Sequence, residues 1–151
     1  MTQTALREVA LAAVAARLTS QLSGVAVERA RRAPVDIDAE TLPRLVVVGG
    51  SLTADYTVEH GSTHYTLEFS VTGWVSASTD LAAEQALSDL HARVVEAIVR
   101  WTPADTHLQD PQELQTDFEM FDIDESSRPA GAFVARFALL AIAPDGLPWS
   151  S

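Results

Sequence analysis

The sequence predicts an α+β fold, a mostly antiparallel β-sheet packed by two α-helices in the order α-β-β-β-β-α-β-β. Three stretches predict it. Over residues 65–77 every odd position is apolar or glycine (Tyr65, Leu67, Phe69, Val71, Gly73, Val75, Ala77), and the even positions are polar except for Trp74. Side chains alternate between the faces of a strand, so this is one long strand with a buried face. Leu87, Leu90, Val94, Ala97, Ile98 and Trp101 recur at three and four residues, one stripe of an α-helix that Ser78, Thr79 or Asp80 can cap and Pro103 stops. Leu6, Val9, Ala10, Ala13, Val14, Leu18 and Leu22 make a second such stripe. Helices that are apolar on one side hide that side by packing on the half-buried sheet.

Taken in order, Thr4 or Thr2 can cap the first helix, and Ser23-Gly24 can end it. Residues 25–29 alternate as a short strand, and Arg29, Arg31 and Arg32 lead into an exposed loop with Pro34. Residues 35–42 are polar and acidic without a period. Leu45 to Val48 is a continuous apolar run between Pro43 and Gly49-Gly50-Ser51, the pattern of a central strand. A strand followed by Gly-Gly-Ser invites a phosphate-loop reading, but no GK[ST] is present and no helix follows. Residues 53–60 alternate again, so Gly49-Gly50 is expected to be a hairpin turn, and residues 60–63 turn the chain into the long strand. Residues 102–112 read as a polar loop with Pro103 and Pro111. Residues 113–123 and 131–142 read as two further strands joined by residues 124–130. A symmetric turn there would set Arg136 opposite Asp117–Glu119. Phe133, Phe137 and Leu139 share one face of the last strand, and Val134, Leu140 and Ile142 share the other. A strand apolar on both faces is central or is covered by a partner. The tail, residues 143–151, is extended, and Trp149 must dock on its own domain or on another subunit.

With 151 residues and 47% hydrophobic content, the chain is expected to form one domain with a sizeable core. No run reaches the roughly 18 apolar residues of a membrane helix, and the polar start with Arg7 and Glu8 is not a secretion signal. The absence of cysteine excludes disulfides, zinc-thiolate sites and a thiol nucleophile. A net charge of −11 argues against nucleic acid as the main partner. All ten basic residues are arginine. They cluster early: residues 1–33 hold Arg7, Arg17, Arg29, Arg31 and Arg32 against Glu8 and Glu28. Residues 110–125 hold Asp110, Glu113, Asp117, Glu119, Asp122, Asp124 and Glu125 with no base. Either cluster can be a solvated face. Together they can also be two complementary surfaces that meet in neighbouring copies.

Chemistry by motif is absent. His60 and His64 flank a predicted turn, with Glu59 and Glu68 as candidate third ligands of a metal, but two surface histidines in a hairpin are the better explanation. His91 lies at the border of a helical stripe and His107 in a loop, neither in a nucleophile or metalloprotease motif. Asp122-Ile-Asp124-Glu125 is like a fragment of a calcium loop without its turn glycine or distal glutamate. No catalytic, cofactor or metal residues are assigned, and assembly or binding is the expected role.

The chain as a whole resembles the tail terminator (tail completion) proteins of long-tailed bacteriophages and gene transfer agents. An arginine- and alanine-rich first helix precedes GVAVERARR, then PRLVVVGG, YTLEFSVTGWV, the helix TDLAAEQALSDLHARVVEAI and a finish in GAFVARFALLAIAPDG. The resemblance lies in the order and length of elements over nearly the whole chain, not in a catalytic motif. It implies a cofactor-free structural protein, made in the bacterial cytoplasm and built into the virion. Such proteins form hexameric rings that cap the tail tube, stop its polymerisation and present the surface for the head–tail connector or stopper. DNA would only pass through the lumen. Interface candidates are Arg29, Arg31, Arg32, Trp74, Asp117, Glu119, Asp122, Asp124, Glu125 and Trp149. Other neck or minor tail proteins, a host binding module, or a small hydrolase built on His60 and His64 are the rival readings.

Overall fold

A computed structural model describes residues 3–31, 33–122 and 128–150. The elements are β1 (Thr4–Ala5), α1 (Leu6–Gln21), β2 (Ala26–Arg29), β3 (Arg44–Glu59), β4 (Ser62–Ser76), α2 (Asp80–Val99), β5 (Leu108–Met120), β6 (Ala130–Pro144) and β7 (Trp149–Ser150). Five strands form one sheet in the order β2-β3-β4-β6-β5, parallel between β2 and β3 and antiparallel elsewhere. Both helices pack on one face. The α+β fold expected from the sequence is therefore the fold observed. Its strand order follows when the two halves of β3 are counted on either side of an irregularity.

That irregularity corrects the reading of Gly49-Gly50 as a hairpin turn. β3 runs straight through them, and its pairing with β4 slips between Gly49 and Leu52. Both glycines are needed for close approach instead. A Cβ at Gly49 would lie 2.3 Å from the Arg7 guanidinium, and one at Gly50 would lie 2.9 Å from the Glu68 carbonyl oxygen. The real turn is at His60-Gly61, where Gly61 takes φ +85°.

Odd positions of β4 and β6 face the helices and build the core, with Phe69 and Phe137 stacked at 5.5 Å between ring centres. β4 pairs with β6 without interruption from Ser62 to Ser76, so no bulge turns Trp74 inward. Gly73 lies beneath the Phe133 ring instead. Thr79 caps α2 by accepting from the Ala82 N–H at 3.1 Å, as expected. No side chain caps α1. The Leu6 N–H donates to the Pro148 carbonyl at 2.9 Å, and Thr4-Ala5 pairs with Trp149-Ser150. The tail thus docks on its own domain and caps the helix with backbone, the job expected of Thr4. Thr2 lies outside the described residues.

The last hairpin differs from expectation in two ways. β5 begins at Leu108, inside the stretch read as a loop, because Pro111 and Asp110 (φ +52°) are absorbed by a break in pairing between Gln109 and Gln112. That break and another between Glu113 and Gln115 shift the register, so Arg136 faces Gln115, and Asp117 faces Val134. Ile123 at the expected strand end lies outside the described residues.

Candidate assembly surfaces

The two lateral margins of the sheet are chemically unlike. One is β5, whose outer edge has no strand beside it among the described residues. It carries Asp110, Glu113, Asp117 and Glu119, with Asp122 just beyond and no basic residue. Leu114, Phe118 and Met120 are exposed along it, Phe118 to 51%. A bare edge strand is a template for pairing, and charges on it restrict what can pair. His91 of α2 holds the strand from the helix side. Its Nε2 lies 2.7 Å from the Glu113 carboxylate and 3.0 Å from the Thr116 hydroxyl, and its ring meets Phe118 and Phe133 edge-on. Among the described residues, Asp110, Glu119 and Asp122 have no ion-pair partner, and Asp117 accepts only from the Gln115 amide, at 3.3 Å. Asp124 and Glu125 lie outside the described residues.

The opposite margin holds β2, and its arginines are taken up within the chain. Arg29 pairs with Glu8 of α1 at 2.5 Å. Arg31 pairs with Glu28 at 2.9 Å and with both oxygens of Glu40, and Arg44 reaches Glu28 at 3.3 Å. The Asp36 N–H also donates to Glu40, at 2.6 Å. These bonds hold the segment after β2 against the outer sheet face. There Val35, Ile37 and Leu42 pack with Trp74, Ala130 and Phe121 in a second small core. Arg128 adds a bond to the Ile37 carbonyl. Trp74 does stand on the face away from the helices, as its alternation implied, but a loop half-covers it. Arg32 lies outside the described residues.

The hydrogen bond from Arg31 holds the Glu40 carboxyl below its ordinary range, and the bond from Arg29 does the same for Glu8. A depressed folded-state pKa contributes stability that is whole above the unfolded value of 4.5 and is lost as pH falls through the folded value. The urea midpoint should therefore hold steady from pH 7 to about 5 and fall below about 4. Arg31→Ala should loosen the loop over Trp74. With Trp101 and Trp149 both changed to phenylalanine, Trp74 emission should shift to the red, and amides of residues 33–42 should exchange faster. Unchanged emission would show that Arg31 does not hold the loop.

β2 pairs only with Arg44–Val47 of β3, so among the described residues the rest of β3 is an open sheet edge, its other side paired with β4. Residues 50–61 are exposed, with Tyr56 and Val58 each at 59%. Beside this edge an apolar hollow of about 210 Å3 lies between Leu52, Tyr65, Leu67, Ala141, Pro148 and the partly exposed Trp149 ring. The hairpin histidines do not meet. His64 Nε2 is 3.4 Å from Glu59, and among the described residues no three His, Asp or Glu side chains are grouped to hold a metal. His107 bonds Asp105, whose carboxyl is held low chiefly by the His107 backbone N–H.

No known family model and no curated protein matches this chain. Among solved structures, it is similar to a chain of one described as "Virion of native gene transfer agent (GTA) particle". The TM-score is 0.47 and the identity 14%, over 92% of each chain. A likeness of that degree assigns the chain no family and no role.

One basic feature escaped the sequence reading. Arg17 on α1 and Arg93 and Arg100 at α2 line a cleft of about 400 Å3 between the helices, with Glu96 beside them. The spacing 93, 96, 100 places these residues on one flank of α2, beside the apolar stripe and out of phase with it. No helix among the described residues is long and apolar enough to cross a membrane.

Proposed function

We propose that this chain is a structural virion protein of the tail-terminator kind, without a catalytic role. Copies join side to side into a ring, six by the family resemblance. The ring caps the tail tube, ends its growth and presents a surface to the head–tail connector or stopper. The observation that supports this reading best is the unlikeness of the sheet's margins. A bare acidic strand with exposed apolar side chains lies on one side, and the short β2 with the exposed outer length of β3 lies on the other. Contacts between unlike patches repeat head to tail, and they close into a ring when the rotation between copies closes. Self-complementary patches would give a two-fold dimer instead. The half-open outer face of β6, with Val134 exposed and Leu140 and Ile142 half-exposed, suits a surface that a partner covers.

The test is tube growth. Tail tube protein polymerised alone should give long tubes of broad length. Adding this chain at a few copies per tube end should shorten them and leave blunt, capped ends in negative-stain images. Equal length distributions with and without the chain would end this reading.

A further inference from the structure

The sequence paired the acidic region with the arginines around the end of β2, but Arg29 and Arg31 are neutralised by their own chain. Among the described residues, cations without a partner are Arg136 on β6 and two on the flank of α2. Among the described residues, Arg93 and Arg100 make no hydrogen bond or ion pair, and Arg17 donates only to the Ala97 carbonyl, at 2.9 Å. Three of ten arginines therefore converge on one cleft of a chain whose net charge is −11, two of them with free guanidinium groups. The negative end of a helix draws cations to its last turn, which accounts for Arg100 at the end of α2. It does not account for Arg93, nearly two turns earlier.

We infer that this interhelical cleft receives the acidic edge of β5 from a neighbouring copy of the chain. The inference rests on the ring reading and names the contact that closes it. Charge complementarity selects the occupant: Asp117 and Glu119 are exposed on β5 and, among the described residues, form no ion pair, although Arg136 of the adjacent strand stands opposite Gln115. The spacings agree. Asp117 and Glu119, two apart on a strand, are about 7 Å apart. Arg93 and Arg100, two helical turns apart, are about 10 Å apart. Long guanidinium stems span the difference. The geometry also keeps the contact between copies. Arg93 follows His91 by two residues, which is more than half a turn, and His91 is the residue bound to β5 of its own chain. Cleft and acidic edge therefore lie on opposite flanks of α2. A copy cannot bring its own cleft onto its own edge, so this contact joins copies head to tail.

Two reversed variants test this. R93E/R100E gives an acidic cleft with an acidic edge, and D117R/E119R gives a basic cleft with a basic edge. All four positions are exposed, and circular dichroism checks that each variant keeps its fold. In sedimentation velocity at low ionic strength, the wild type should associate, less so at high salt. Each variant alone should associate about tenfold more weakly or worse. An equimolar mixture should recover association, because each acidic cleft then meets a basic edge and each basic cleft an acidic one. Three results would overturn the contact: a wild type that stays monomeric, variants that associate like the wild type, or a mixture that recovers nothing. The last would mean that the cleft meets another acidic surface. Tube capping by the wild type is scored separately. Capping with a failed rescue leaves the ring and discards this contact, whereas absent capping discards the ring itself.

Discussion

Phe137→Ala is expected to destabilise the protein by about 3–5 kcal/mol, with a fall in melting temperature of roughly 10 °C. Phe137 is fully buried on the central strand pair, opposite Phe69 and stacked on it. Truncation removes the transfer energy of the ring and leaves a hole that the sheet cannot close, because β4 and β6 are tied together along fifteen consecutive pairs. Urea unfolding followed by circular dichroism measures the loss. A cost below about 1 kcal/mol would mean that the stacked phenylalanines are not the centre of the core.

Gly73→Val should cost about 3 kcal/mol, at the upper end of what overpacking does. Valine suits a strand, and Gly73 sits in one, so propensity alone predicts a gain. Packing reverses the sign. A Cβ at this position would lie 2.5 Å from two atoms of the Phe133 ring and 3.2 Å from Leu45. Phe133 is buried and cannot swing away, since Phe118 and His91 touch it from the other side. The same urea titration decides it. A variant as stable as the wild type would show that the ring can move aside.

These positions also mark what could be read from the sequence. Alternation over residues 65–77 and the stripe from Leu87 to Trp101 gave β4 and α2 to within about three residues at their ends, because one buried face imposes its period on the chain. Gly73 was legible as inward-facing, though its reason was not, since Phe133 is sixty residues away. Gly49-Gly50 misled because glycine marks a turn and a close approach alike, and only the positions of Arg7 and the Glu68 carbonyl separate the two. Val35, Ile37 and Leu42 show no helix or strand period and so looked like plain loop. Their apolar side chains were the one sign that the loop lies down on Trp74. The arginines after β2 were legible as a cluster, but their partners Glu8 and Glu40 are set by the tertiary fold. The same holds for Arg17 and Arg93, which no sequence window brings together.

The most direct measurement of the central claim is electron cryomicroscopy of tail tubes grown with this chain and averaged at their ends. The account predicts a single closed ring of copies at one end, each copy turning its β5 edge toward the α1–α2 cleft of the next. Ends without such a ring, or copies bound singly along the tube wall, would contradict it.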